Sequence, residues 1–116
     1  MASVAEAREA VRSAAFGYPE AWEDTPWGES VAKVRKKVFV FLGTDPERLS
    51  LTVKLPVSMM EALEHPFAKP SNYGLGRHGW VTCSFAPGSD VPVDLLLDWI
   101  DESYRAVAPK TLVKKL

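Results

Sequence analysis

The stretch Leu49-Ser50-Leu51-Thr52-Val53-Lys54-Leu55 alternates without a break between apolar and polar side chains. In an extended chain successive side chains point to opposite faces, so Leu49, Leu51, Val53 and Leu55 share one side and Ser50, Thr52 and Lys54 the other. One dry face and one wet face mark an antiparallel strand covered on one side only. The fold is read outward from this strand.

Upstream, residues 43–48 contain Asp45 and Pro46, the chemistry of a turn. Residues 38–42 form a continuous apolar run and read as a central strand. Residues 31–35 read as another strand, with Arg35-Lys36 at or near a tight turn. Gly28-Glu29 forms a turn, and part of 20–27 is expected as an edge strand, because Pro26 suits only an edge or a strand end. Farther back, Ser3 followed by Glu6 fits a capping box. It opens a helix over 3–15 with Val4, Ala7, Val11, Ala14 and Ala15 on one face, and Gly17 and Pro19 end it. Downstream, a short helix is expected over 56–65 with Met59, Met60 and Leu63 buried. A long loop then runs from Pro66 through Pro70 to Gly79. A strand is expected over 80–85, ended by Pro87-Gly88. The last helix has Asp90 as its cap and Pro92 in its first turn. It carries an apolar stripe of Val93, Leu96, Leu97, Ile100, Tyr104 and Val107, with Asp94, Asp98, Asp101 and Glu102 on or near the other side. Pro109 ends it, and 110–116 reads as a basic tail, mobile or short-paired. The order helix, three or four strands, helix, strand, helix predicts one α+β domain over 1–116. Its antiparallel sheet would have helices packed on one face.

At 116 residues, 47% hydrophobic and 25% charged, the chain has ordinary globular composition. It is long enough to bury roughly two-thirds of its unfolded surface around one core. A single cysteine, Cys83, excludes an internal disulfide framework and a multi-cysteine zinc site, and fits a reducing compartment. No apolar run suits a signal peptide or a spanning helix, so a cytoplasmic location with no membrane partner is expected. The net charge of −1 hides strong segregation. Residues 1–30 sum to −4, 31–37 to +4, 86–104 to −5 and 105–116 to +4.

Gly74, Gly76 and Gly79 match G-x-G-x-x-G, but they precede a strand and open no helix, so no dinucleotide cofactor is expected. His65 and His78 lack metal-ligand spacing, and His65 suits a helix end, where the dipole favours a cation. Cys83 and His78 could form a nucleophile–base pair, but Cys83 alternates with Val81 and Phe85 on a strand face and reads as core. No catalytic residue, metal site or cofactor is therefore expected, and the chain reads as a non-enzyme and, by default, a monomer.

The series Pro19, Asp24-Thr25-Pro26-Trp27-Gly28, Lys37-Val38-Phe39, Lys54-Leu55, Tyr73, Trp80-Val81 and Ser103-Tyr104 resembles the MmcQ/YjbR family over nearly the whole chain. The resemblance implies a small bacterial domain with a curved antiparallel sheet, related to secretion-chaperone-like folds. It also implies DNA binding through a double wing of hairpins, and no enzyme activity. On the residues themselves, the DNA-contacting candidates are Lys33, Arg35, Lys36 and Lys37, with Lys33, Arg35 and Lys37 on one side if the strand continues through the turn. Arg77, with Lys69 and His78, would extend the patch. Such a cluster would grip phosphates with little sequence preference, or simply deter edge pairing. The alternative is a protein- or small-ligand-binding domain using Tyr73, Arg77 and Trp80 in the long loop.

Overall fold

The structure, a computed structural model, describes residues 2–72 and 74–116, and only the backbone of Trp27. Six strands form one antiparallel sheet: β1 (Ala21–Asp24), β2 (Ser30–Val34), β3 (Lys37–Leu42), β4 (Leu49–Lys54), β5 (Ala68–Pro70) and β6 (Trp80–Phe85), in the order β1-β2-β3-β4-β6-β5. Helices α1 (Val4–Phe16) and α3 (Val93–Val107) pack on one face, with the single turns α2 (Met59–Ala62) and α4 (Lys110–Val113) at the margins. The alternation of 49–55 decides which face they cover. Leu49, Leu51, Val53 and Leu55 are buried. Their ladder partners Leu42, Val40, Val81, Cys83 and Phe85 are buried with them.

The capping box forms as the sequence predicts. Glu6 N donates to Ser3 Oγ and Ser3 N donates to Glu6 Oε1, each at 3.2 Å. Val4, Ala7, Val11 and Ala15 of α1 are buried, while Arg8 holds the 43–48 loop through the Gly43 and Arg48 carbonyls.

Several expectations are corrected. The segment 66–79 is no irregular loop: it holds β5 and a 3₁₀ turn, Leu75–His78. β5 is three residues long and includes Pro70, which only the outermost strand can accommodate, so no alternation announces it. The helix expected over 56–65 shrinks to one turn: Glu102 of α3 accepts from Val57 N, Ser58 N and Ser58 Oγ just ahead of it, and past it Glu64 N and His65 N turn to the i−3 carbonyls of Glu61 and Ala62. Met60, expected inside, is 80% exposed, and Ala62 is the buried residue of that turn. Asp90 does not cap α3. Val91 is drawn into an antiparallel bridge with Ala2, so the helix starts at Val93 with Pro92 at the cap position. The basic tail contains α4, anchored by the buried Leu112.

One irregularity organises the centre. Ala32 pairs with Val40 but Lys33 pairs with Val38, so Phe39 is an extra residue on β3, a β-bulge. The bulge turns Phe39 into the core beside Val40. There its ring meets Tyr104 edge-on at 5.1 Å and Tyr18 at 6.1 Å. It also interrupts the β3–β4 ladder beyond Val40–Val53. The fully buried Ser103 of α3 fills the interruption: its Oγ donates to the Phe39 carbonyl and accepts from Lys54 N at 2.8 Å. Nearby, Tyr104 donates to the Pro19 carbonyl and Tyr18 to Asp101. Burial, reinforced by the Asp101 carboxylate, pushes the Tyr18 phenol well above its ordinary value.

Replacing Ser103 with alanine would strand a buried N–H and a buried carbonyl. Ser103→Ala is expected to cost about 2–4 kcal/mol in urea denaturation, against about 0.5 or less for Ser84→Ala at the exposed ladder position. A loss below about 1 kcal/mol for Ser103→Ala would contradict the bridging role.

Candidate nucleic-acid interface

The register brings several connections to one end of the sheet. Val34 pairs with Lys37 around the 35–36 turn, Lys54 pairs with Trp80, and Leu55 N donates to the Gly79 carbonyl at 2.8 Å. The β2–β3 turn, the exit of β4 and the entrance of β6 therefore lie together. The C-terminus of α3 reaches the same end. Between it and the hairpin lies a groove of about 680 Å³ whose floor includes Val34, Val107 and Pro109 and whose rim carries Lys36, Lys37 and Lys110.

The four cations predicted around the turn separate. The strand does not continue through the turn, so Lys33, Arg35 and Lys37 do not share a side. Arg35 takes a left-handed backbone (φ 56), which breaks the alternation. Its guanidinium pairs with Glu20 at 3.4 Å, and its carbonyl accepts from Trp22 Nε1 at 2.8 Å. Lys33 points to the open face of the sheet, where its ammonium lies 2.7 Å from Asp24 and 5.3 Å from the centre of the Trp22 ring. Its proton donation holds the Asp24 carboxyl below its usual range. Lys36 and Lys37 are exposed and, like Lys110, make no ion pair among the described residues. The 31–37 and 105–116 basic islands, separate in sequence, thus face each other across one groove. Lys110 and the groove floor escaped the sequence reading. Its charge map marked both islands, but nothing in it said that they meet.

Arg77 and His78 are exposed in the 3₁₀ turn at this end, two strands from β3, or about 10 Å by strand spacing. Gly74 and Gly79 flank the turn in left-handed conformations (φ 79 and 87), which accounts for these glycines without any phosphate. Of the alternative ligand set, Tyr73 lies outside the described residues. Trp80 is partly buried, its ring meeting Phe41 edge-on at 5.5 Å. Ser71 N donates to the Trp80 carbonyl at 2.9 Å and Gly76 N to the Ser71 carbonyl at 3.3 Å.

Cys83 is fully buried on the helix-facing side, and burial pushes its thiol up to about 12, whereas His78 is exposed beyond the strand's other end. His65 lies just past α2 and stacks on Phe67 at 4.9 Å.

A six-stranded antiparallel sheet with helices on one face and a lysine-rimmed groove at one end defines a small α+β domain with a charged surface site. The chain belongs to the YjbR family, whose model matches residues 16–106. It is similar to the crystal structure of Deinococcus radiodurans protein DR2400, which carries the DUF419 domain, with a TM-score of 0.70 and 26% identity. That match covers 90% of this chain and 83% of the other. No curated protein matches it.

The buried thiol gives a check on the core. Its shift from 9.0 to about 12 reduces the thiolate present at a given pH by about three orders of magnitude. Maleimide labelling of Cys83 is expected to be slower by about two orders of magnitude or more in the native protein than in urea. Comparable rates would place the thiol outside the core.

Proposed function

We propose that this protein is a nucleic-acid-binding module and not an enzyme, gripping the phosphate backbone with Lys36 and Lys37 of the hairpin and Lys110 across the groove. The observation that carries the reading is the meeting of two basic islands in a chain of net charge −1. Segregating charge in this way creates a local positive potential that the total conceals. Lysine supplies mobile point charges rather than a planar fork. Contacts of this kind position a protein on a backbone without reading bases. Arg77 at the same end would lengthen the track, while Lys33 and Arg35 are already committed to Asp24 and Glu20. In this reading the protein acts as a monomer in the cytoplasm. No helix among the described residues is long and apolar enough to cross a membrane.

A second reading takes the same groove as a small-ligand site. The floor of Val34, Val107 and Pro109 under a cationic rim favours it, as does a volume in the ordinary ligand range. Its occupant would be an anion with an apolar body.

Fluorescence anisotropy with labelled DNA of random sequence separates the two. Three phosphate contacts predict that log K falls against log salt with a slope of about −3. Lys36→Glu with Lys37→Glu is expected to weaken binding at least roughly tenfold and to flatten the slope by about 2. Undetectable binding of both duplex and single-stranded DNA at low salt would end the nucleic-acid reading and leave the small-ligand one.

A further inference from the structure

The helices cover one face of the sheet, and the opposite face has its own chemistry. Val40, Val53 and Val81 form a buried cross-strand row on the helix side. Their strand neighbours Phe41, Lys54 and Trp80 must therefore point the other way. The same register puts Trp22, Lys33 and Lys69 on that face, since Trp22 pairs with Lys33 and Lys69 with Thr82. Trp22 is 44% exposed, and Phe41 and Trp80 are partly exposed as an edge-to-face pair. Between the aromatics, Thr52 and Thr82 share a hydroxyl hydrogen bond of 2.8 Å. Among the described strand residues, three lysines stand on this face against one acid, Asp24, which Lys33 already occupies. The acids of α3 lie on the other side of the molecule.

From these juxtapositions we infer that the open sheet face is a binding platform for single-stranded nucleic acid, with bases lying on Trp22, Phe41 and Trp80 and phosphates on Lys54 and Lys69. The inference rests on the nucleic-acid reading and deepens it by naming the form of the ligand. Aromatic rings can stack only on bases whose faces are free, and in a duplex neighbouring pairs cover those faces. Lysines interleaved with the rings supply the backbone contacts that stacking lacks. The rings span β1 to β6, four strand spacings or about 19 Å, interrupted on β2 by the buried Val31, with Lys69 one strand farther out on β5, room for roughly four nucleotides or more. It joins the hairpin directly, because Trp22 Nε1 holds the Arg35 carbonyl of the turn. A strand lying on the face could thus continue to Lys36.

The test compares labelled oligo(dT) of about 20 nucleotides with a duplex of about 20 base pairs at low salt. Oligo(dT) is expected to bind roughly tenfold or more tightly than the duplex and to quench tryptophan fluorescence. Lys54→Glu with Lys69→Glu is expected to weaken oligo(dT) binding at least about tenfold while leaving duplex binding nearly unchanged. These are surface changes, so circular dichroism should show the native fold, and the wild-type quenching signal reports on the rings without altering them. Equal or tighter duplex binding would overturn the platform, as would oligo(dT) binding that ignores Lys54 and Lys69 but is lost with Lys36 and Lys37. Either result would leave the hairpin reading standing. No binding of either ligand would overturn both.

Discussion

Where the extra residue Phe39 breaks the ladder between the third and fourth strands, the Ser103 hydroxyl stands in for the missing backbone pairing. A buried N–H and a buried carbonyl without partners would be costly at the centre of the sheet. The partner that satisfies them comes from α3, so closing the sheet and placing the helix are a single event. Next to Ser103, Tyr104 packs against Phe39 and Tyr18 and reaches the Pro19 carbonyl, carrying the same constraint to the corner before β1. With α3 fixed in rotation and height, its last turn comes against the β2–β3 hairpin, and the groove between them follows. The surface site thus depends on an interior hydrogen bond.

Much of this was legible because it depends on period. The alternation of 49–55, the apolar run of 38–42 and the stripes of the two long helices report directly which side chains face inward. What the sequence hid depends on contacts between distant residues. Glu102 reads as one more acid on a wet helix face, yet its carboxylate gathers three donors just ahead of α2. Ser103 belongs to the series that suggested the family, but nothing local says that a serine in an apolar stripe is completing a sheet. β5 and α4 are too short to carry a period, and a bulge leaves no compositional mark. At the candidate site, the basic islands and the turn at 35–36 were visible, but their meeting across a groove and the neutralisation of Lys33 and Arg35 needed three dimensions.

The charge map gains meaning from this arrangement. Four of the five acids of 86–104 lie on α3, with Asp90 just ahead of it, and two of them serve structure: Asp101 accepts from Tyr18 and Arg105, and Glu102 holds residues 57 and 58. The bases of 31–37 divide into Lys33 and Arg35, which bind neighbours, and Lys36 and Lys37, which face solvent. A near-neutral total is therefore compatible with a polarised surface, acidic over the helix layer and basic at one end and over the open sheet.

Glu20 and Arg35 are the two non-glycine residues with left-handed backbones among those described (φ 57 and 56), and they are bound to each other. Each conformation is disfavoured for a residue with a side chain, and the two side chains hold each other across one end of the β1–β2 pair. The hairpin tip is thereby tethered to the entrance of β1 through the ion pair and the Trp22 indole. Such a tip is pre-organised. When Lys36 and Lys37 engage a ligand, the ordering entropy falls mainly on their own side chains and little on the backbone beneath them.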